Sequence, residues 1–435
     1  MGTFTSWVRT RKAAASTVAI TLLAGVPLTF AVLHQGFPVT DVDLAAREVW
    51  VTNGKELLAG RLNRQIEELD AAVNTASNAF DVLQDGEDVF LYDKSLGSIE
   101  RIDPAFTTLG QGIAAPPGSE VAHGGETLAI LSPKGELWVT SASGELQLNP
   151  ADTEPLARLG EGAHVAVSKS GVVYATSAED DQLAKIVSPG ADPEMSALPA
   201  ISDHQLSVVG EEPVVLDTEE NAVIIGGTAR ALDETALKIQ QVGAENDSVL
   251  LATGDALLQV PLAGGDVDVI AADIDAPASA NDVASPVWLD GCAHGAWAGI
   301  GRYVSACEAR EPVVQTIEQV TTGSRLEFRV NRSVIALNNL SNGNVWLVDS
   351  NLRLVDNWDE VTPPDESDAE EGDEKASQQT FEDTLAERSE TNRPPTARDD
   401  AFGVRPGRTT LLEVLENDTD PDGDVLTATN VSEIA

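Results

Sequence analysis

The sequence is poor in positive charge. Its 435 residues include 27 Lys and Arg against 71 Asp and Glu, which gives a formal net charge of -44. Proteins that bind a nucleic-acid backbone or an anionic lipid surface need clustered cations, because like charges repel one another. The composition therefore argues against both kinds of partner. It suits a soluble, self-repelling protein with a tendency to bind cations.

Long uncharged hydrophobic runs are also absent, with one exception near the start. Residues 13–33 carry no charged side chain, and a helix of 21 residues would be about 31 Å long, enough to span a bilayer core. Residues 1–12 carry three basic residues and no acid, which predicts a cytoplasmic basic segment before a transmembrane anchor. A cleaved signal peptide is the alternative, although a clear small-residue cleavage motif is missing. We expect a single-pass plasma-membrane protein whose bulk is extracellular, with a connector at 34–48.

A strand–turn–strand pattern recurs through most of the remaining chain. The first apolar residues of its eight cores stand at positions 49, 89, 137, 172, 214, 249, 287 and 345. A period of about 40 residues made of strands and turns is typical of β-propeller blades, each of which needs neighbours to bury its faces. A β-sandwich is the alternative, but it has no reason to repeat a whole hairpin. The pattern predicts a mainly β fold with a propeller at 49–361.

The eight cores predict seven or eight blades. Seven result if the first and last cores share one blade, so that the chain ends clasp the ring and remove free sheet edges. The longest gap, 58 residues after Val287, leaves room for a further set of strands.

Cysteine is nearly absent from the sequence, which contains only Cys292 and Cys307. Two cysteines close together in an exported chain predict a disulfide, closing a loop of about 15 residues and contributing about 3 kcal/mol. Metal ligation is the alternative, because His294 lies beside Cys292. Zinc sites usually need four clustered ligands, and the other four histidines are scattered.

The composition changes abruptly after the propeller region. Residues 356–390 contain 14 acidic and two basic residues and very few apolar ones. Such a segment cannot bury enough apolar surface to offset its ordering entropy, and its like charges favour extension. We interpret residues 362–391 as an acidic, disordered linker between domains.

The last 44 residues contain the most specific motif. Residues 392–400 read Asn-Arg-Pro-Pro-Thr-Ala-Arg-Asp-Asp, and residues 412–426 read Leu-Glu-Val-Leu-Glu-Asn-Asp-Thr-Asp-Pro-Asp-Gly-Asp-Val-Leu. This segment resembles the start of the bacterial cadherin-like and Ig-like tandem repeats of large, actinobacterial-type surface proteins. The resemblance covers about a tenth of the chain and implies a β-sandwich. Since a sandwich needs more strands than 44 residues supply, we expect residues 392–435 to be an incomplete module.

The same segment resembles a calcium loop. Carboxylates alternate around Gly423, an arrangement in which they can converge on one hard cation such as Ca²⁺. The four predicted ligands are Asp418, Asp420, Asp422 and Asp424. An EF-hand does not fit, because its twelfth position would be Thr429 and no helices are expected there. A solvated Asp-Pro-Asp-Gly turn is the alternative.

Catalytic motifs are missing. The sequence has no Gly-x-Ser-x-Gly elbow, no Walker loop and no His-Glu-x-x-His, and its short glycine pairs sit among predicted strands. The aromatic, glycine-rich stretch at 288–299 is interpreted as blade packing, with a pocket lining as the alternative. We predict a non-catalytic, membrane-anchored binding or scaffold protein. Its propeller would bind a cell-surface protein or glycan, and its tail would form a stalk or adhesion module.

One alternative from another functional class remains open. Propellers can be enzymes when polar groups from several blades converge on the central channel, and a sequence does not show such convergence. The alternative is an exported propeller enzyme, either a quinoprotein-like oxidoreductase or a glycan-active hydrolase or lyase.

Overall fold

A computed structural model describes almost the whole predicted propeller region. The chain divides into two compact units, residues 1–362 and 363–435. The segments predicted as basic start, membrane anchor, most of the linker and nearly all of the Ig-like module, with its four aspartates, lie outside the described residues. The described residues are 48–104, 106–308, 310–363 and 396–398.

The first four sheets follow one another along the chain, and each is an antiparallel meander. Blade 1 contains β1 (Glu48–Asn53), β2 (Leu58–Asn63) and β3 (Glu68–Asn74). Blade 2 contains β4 (Phe80–Asp85), β5 (Asp88–Asp93), β6 (Ser98–Asp103) and β7 (Thr108–Ala114). Blade 3 contains β8 (Glu120–Gly124), β9 (Thr127–Leu131), β10 (Glu136–Ser141) and β11 (Ala157–Arg158). Blade 4 contains β12 (Val165–Val167), β13 (Val173–Ser177), β14 (Gln182–Ile186) and β15 (Glu194–Ala197).

The last four sheets repeat the same order. Blade 5 contains β16 (His204–Val209), β17 (Glu212–Asp217), β18 (Ala222–Ile225) and β19 (Thr228–Ala231). Blade 6 contains β20 (Lys238–Ile239), β21 (Ser248–Ala252), β22 (Ala256–Pro261) and β23 (Asp268–Ala271). Blade 7 contains β24 (Val287–Leu289), β25 (Cys292–Trp297), β26 (Arg302–Cys307) and β27 (Val313–Thr316), preceded by a 3₁₀ turn at Ala280–Asp282. Blade 8 contains β28 (Leu326–Asn331), β29 (Val334–Asn339), β30 (Val345–Leu347) and β31 (Arg353–Val355), followed by the short helix α1 (Trp358–Val361).

The protein is therefore an eight-bladed propeller, and the predicted fold class is confirmed for this region. The seven-blade alternative is wrong, because the first and last strands belong to different sheets. The 58-residue gap arises because the two residues that bound it occupy different positions within their blades. Val287 begins the first strand of blade 7, whereas Val345 begins the third strand of blade 8.

The second strand of each blade is buried almost throughout. Nearly every residue is buried in β13, in β29 and in β1, which takes the second position in blade 1. These strands show no alternation between a solvent-exposed and a buried face. This follows from the architecture, because both faces of a blade are covered by its neighbours. The core between blades 2 and 3, for example, joins Phe90 and Tyr92 to Leu128, Ile130 and Trp138.

The turn after the second strand has a recurring construction. Asn53, Asp93 and Asp217 each end that strand, and each side-chain Oδ1 accepts backbone N–H bonds from the residues two and three positions further on. Asx side chains favour such turns because they replace a missing backbone acceptor. This polar residue at the end of a buried run marks the same position in three blades.

Blade 1 has three described strands. The first of them, β1, occupies the position that the second strand has in the other blades. Strand β28 lies directly against β4, so blades 8 and 2 meet on the inner side, while β1 packs against β4, β28 and β29. The inner edge of β1 is instead covered by two side-chain amides. Gln84 Oε1 accepts from Trp50 N–H at 2.8 Å, and its Nε2 donates to Trp50 O at 2.9 Å. Asn338 Oδ1 accepts from Thr52 N–H at 2.8 Å, and its Nδ2 donates to Thr52 O at 3.0 Å.

The outer side of the closure depends on α1. Trp358 is buried against blade 1, where a Cβ on Gly60 would come within 2.6 Å of its ring. Its Nε1 donates to Gly343 O of blade 8 at 2.8 Å. Asn357 pairs with both the N–H and the C=O of Leu69 at 3.0 and 3.1 Å. In this structure no shared sheet joins the first blade to the last; side-chain contacts do, together with one backbone hydrogen bond from Gly54 N–H to Leu340 O at 3.0 Å.

Candidate functional site: the central channel

Inner strands from seven blades surround a channel, because each four-stranded blade begins at the centre of the ring. The channel contains a cavity of about 490 Å³, within the range of small-ligand sites. Its lining comes mainly from the inner strands β4, β24 and β28 and from residues 241–246 that follow β20. The lining mixes backbone edges, apolar residues and charged side chains from blades that are far apart in the sequence.

A buried ionic cluster forms one wall of this cavity. Arg329 is 5 % exposed, and its guanidinium lies 2.7 Å from Asp81 Oδ1 and 3.2 Å from Glu327 Oε1. Burial alone would raise the pKa of Asp81, but the charges of Arg329 and Lys94 outweigh it and lower that pKa to about 2. Burial raises the pKa of Glu327, and the Arg329 charge opposes this shift only in part. Burial therefore favours the protonated form of Glu327.

A second ion pair stands at the ends of the inner strands. Asp85 at the end of β4 lies 3.0 Å from Lys169 Nζ of blade 4, and its Oδ2 accepts the Gly125 N–H of blade 3 at 2.7 Å. One carboxylate therefore joins three consecutive blades around this mouth of the channel. Its hydrogen-bonding capacity is used by the protein, so we assign it a structural role.

Three lining side chains carry polar atoms without a protein partner. Both ring nitrogens of His123, the indole Nε1 of Trp288 and the Nε of Arg329 are buried and accept or donate no hydrogen bond within the described part of the chain. His123 packs edge-on against Phe90, with ring centroids 5.0 Å apart. Burial lowers the pKa of His123, so its imidazole is neutral and provides one donor and one acceptor. These atoms have almost no accessible surface, so they lie behind the cavity wall rather than on it.

The opposite ends of the inner strands carry a second polar cluster. His164 Nδ1 lies 3.0 Å from Glu120 Oε2, and its ring meets His204 edge-on at 4.9 Å. The hydrogen bond to Glu120 raises the pKa of His164, whereas burial lowers that of His204. His204 is held by Thr176 Oγ1 at 2.7 Å and by the Ser202 carbonyl at 2.8 Å. Both ring nitrogens of His204 already form hydrogen bonds. His164 is therefore the main side chain of this cluster that is left for a ligand to contact.

The two cysteines form a disulfide between the start of β25 and the end of β26. Cys292 follows Asp290 and Gly291, which line the mouth of the cavity. The bond therefore braces a turn at the candidate site.

The aromatic stretch at 288–299 takes both of its predicted roles. Trp288 lines the cavity, whereas Trp297 is fully buried and donates to Thr253 O at 2.9 Å.

The calcium and membrane predictions concern other parts of the chain. Asp418, Asp420, Asp422 and Asp424 lie outside the described residues. Within those residues, no group of three or more His, Cys, Asp or Glu side chains is arranged to hold a metal ion. No helix in the same residues is long and apolar enough to cross a membrane, and the run at 13–33 is not among them.

Sequence reasoning did not identify the cavity residues His123, Lys169, Glu327 and Arg329. They come from three different blades, and none belongs to a local motif. The available signal was weak: β28 reads Leu-Glu-Phe-Arg-Val-Asn, with two charged residues inside a strand that is otherwise a good β-former.

Comparisons with known proteins agree with this architecture. Residues 392–435 match the family of bacterial Ig domains, which confirms the predicted Ig-like module. No curated protein matches the chain.

Three solved structures illustrate the likeness of the propeller. Dihydro-heme d1 dehydrogenase NirN is 12% identical, with 74% of each chain covered and a TM-score of 0.50. Virginiamycin B lyase from Staphylococcus aureus is 11% identical, with 68% of this chain and 89% of that chain covered and a TM-score of 0.40. BamB from Moraxella catarrhalis is 12% identical, with 69% and 90% covered and a TM-score of 0.46. At such identities the likeness concerns the fold alone.

Proposed function

We propose that the protein is an extracellular binding protein whose propeller channel holds a ligand and whose Ig domain belongs to a stalk or adhesion region. The single observation that carries the proposal is the cavity of about 490 Å³, which is lined by charged, polar and aromatic side chains from several blades. Four lining charges are already paired with one another, Asp85 with Lys169 and Glu327 with Arg329, which supports binding rather than catalysis.

A ligand screen with a chemical readout tests this proposal. A ligand that binds only the folded chain raises its melting temperature, so saccharides, peptides and metabolites can be screened by thermal shift. Trp288→Phe and Arg332→Gln should each reduce the shift, whereas Asp268→Asn on the exposed outer strand β23 should leave it unchanged. Mass spectrometry of the recovered ligand should find it chemically intact. A ligand that raises the melting temperature equally in all variants would bind outside the channel.

An enzyme is the second candidate, and one observation favours it. Glu327 lines the cavity, and burial raises the pKa of its carboxyl, which favours the protonated form that a general acid needs. In that case the recovered ligand would be converted, and Glu327→Gln would abolish conversion while preserving the thermal shift. Unconverted ligand in the wild-type chain would contradict this candidate.

Membrane anchoring belongs to the same proposal and rests on the uncharged run at 13–33 behind the basic residues of 1–12. Protease added to intact cells should then digest the propeller. Its protection under these conditions would reverse the proposed topology. A mature N-terminus near residue 35 would replace the anchor with a cleaved signal peptide.

A further inference from the structure

The outer edges of the blades differ in how well they are protected against pairing with another chain. Short strands and charged side chains discourage such pairing, and six of the eight outer strands contain at most four residues. The longer β3 carries Glu68 and Asp70, and Asn357 covers part of its edge at Leu69. Among the outer strands that the structure describes, β7 alone is both long and free of charge. It reads Thr-Leu-Gly-Gln-Gly-Ile-Ala.

Exposed apolar side chains stand at both ends of β7. Phe106, two residues before the strand, is 78 % exposed, which is the largest value for a large apolar side chain among the described residues. Leu109 within the strand is exposed as well. Leu96 is 61 % exposed and lies at the other end, because the neighbouring Gly97 O accepts a hydrogen bond from Ala115 N–H. Single exposed apolar residues are common, but a group of them along one uncovered edge is typical of a surface that contacts another chain.

A carboxylate lies beside the same edge. In the register of β6 and β7, Glu100 stands opposite Gly112, and Ile102 stands opposite Leu109. Cross-strand partners share a face of the sheet, so Glu100 and Leu109 lie on one face. A Cβ on Gly112 would come within 2.5 Å of Glu100 Cγ, so the glycine leaves room for the Glu100 side chain to cross β7. Glu100 forms no ion pair or hydrogen bond with another described residue, and its charge is available to a partner.

We propose that β7 binds an extended segment of another protein, which adds a fifth strand to blade 2 and carries a cationic side chain for Glu100 beside an apolar one for Leu109. Backbone hydrogen bonds to the free edge provide affinity in such strand addition, and alternate side chains provide specificity. Glu100 and Ile102 are two residues apart, so the cationic and apolar side chains should stand about 7 Å apart on one face of the added strand. The bulge between these positions twists the edge without covering it.

Electrostatics favours this occupant over two others. A net charge of -44 attracts a cationic segment, repels an acidic one and opposes association with a second copy of the chain. The edge lies on the rim of the propeller, so this inference does not depend on the ligand proposed for the channel.

Fluorescence anisotropy of a labelled peptide added to the full chain tests the proposal. The peptide has about nine residues and blocked ends, with Val and Lys alternating on one face and Thr on the other. It should bind the wild-type chain. Versions with Glu in place of Lys, or with methylated backbone nitrogens, should bind at least about tenfold more weakly, because they lose the charge match or the edge hydrogen bonds.

Variants of the edge separate its two kinds of contact. Phe106→Ser removes an exposed ring and should weaken binding of the Lys peptide at least about fivefold. Glu100→Gln should weaken it about two- to fivefold and reduce its salt dependence. The matched controls Val269→Ser on β23 and Glu194→Gln on β15 change exposed side chains of other outer strands and should leave binding unchanged.

Three outcomes would overturn the inference: the Lys peptide does not bind, the Glu or methylated version binds equally well, or the two edge variants match the wild type. A concentration-dependent dimer in analytical ultracentrifugation that Phe106→Ser abolishes would overturn it too, since a second copy would then occupy the edge. None of these outcomes bears on the channel. A channel ligand should raise the melting temperature of Phe106→Ser as much as that of the wild type.

Discussion

Asn338 provides the sharpest test of how the propeller ring closes. This residue of β29 in blade 8 is 0 % exposed, and its amide pairs with both backbone groups of Thr52 in β1, 286 residues earlier in the chain. It also accepts from Thr52 Oγ1 at 3.1 Å. Asn338→Ala removes these three hydrogen bonds and leaves the other links between the two blades in place, such as that from Gly54 N–H to Leu340 O. It therefore measures what the Asn338 amide contributes to the closure.

The expected cost follows from what the substitution leaves behind. The Thr52 N–H and C=O remain buried without partners, and each such group costs about 1–3 kcal/mol. We therefore expect Asn338→Ala to lower the free energy of unfolding by about 2–6 kcal/mol, a large part of the about 5–15 kcal/mol typical of a domain. Gln84→Ala removes the matching pair from Trp50 but should cost less, because Gln84 lines the cavity and water can replace its amide.

Urea unfolding of the full chain, followed by tryptophan fluorescence, measures this cost. Six of the seven tryptophans lie in the described propeller, so the signal reports this unit. The exposed Asn78 provides a matched control, and Asn78→Ala should change the stability by less than about 0.5 kcal/mol. The double variant at Asn338 and Gln84 should cost less than the sum of the two single variants, because either one frees β1.

A loss of less than about 1 kcal/mol for Asn338→Ala, or a loss no larger than that of Asn78→Ala, would refute the argument. It would mean that the inner edge of β1 is satisfied in another way. Strict additivity of Asn338→Ala and Gln84→Ala would show that the two amides do not hold β1 together.

Three further predictions concern acid sensitivity, the disulfide and the tail. Burial lowers the pKa of His294 from 6.5 to about 4, so the unfolded chain binds a proton that the folded chain excludes. Stability should fall by on the order of 3 kcal/mol as the pH drops from about 6.5 to about 4, and pH-dependent urea unfolding of His294→Gln should show a smaller fall. Mass spectrometry of a non-reduced digest should find Cys292 linked to Cys307, and replacing both by Ala should cost about 3 kcal/mol; free thiols in material from an oxidising compartment would contradict the pairing. A chain extended downstream to a whole Ig module should melt at a higher temperature in millimolar Ca²⁺ than in chelator. Asp420→Ala with Asp422→Ala should remove most of that difference, and indifference to both would leave the aspartates a solvated turn.

Local chemistry was readable from the sequence because it depends on neighbouring residues. Runs such as Glu48-Val-Trp-Val-Thr-Asn53 identified strands, and their return about every 40 residues identified the propeller. The position of each predicted core within its blade was harder to predict from the sequence. The predicted cores mixed second strands such as β1 and β5 with the first strand β24 and the third strands β10 and β30. A better marker was the polar residue that ends a buried run, such as Asp93 or Asp217, because its side chain makes the following turn.

The candidate site was beyond sequence reasoning for a geometric reason. Its lining residues His123, Trp288 and Arg329 stand on three inner strands, and each looks ordinary within its own strand. Trp288 alone belonged to a stretch that the sequence analysis singled out, and packing was the preferred interpretation there.

By itself, the sequence determined the strand content, the blade period, the Ig motif and the acidic character, all of which depend on composition or on contacts within one blade. Only the tertiary structure decided the count of eight, the closure through Gln84 and Asn338, and the composition of the channel wall. These depend on where the first and last blades meet, which is settled when every blade buries both faces against its neighbours. The residues that meet there are up to 288 positions apart, and no local pattern relates them.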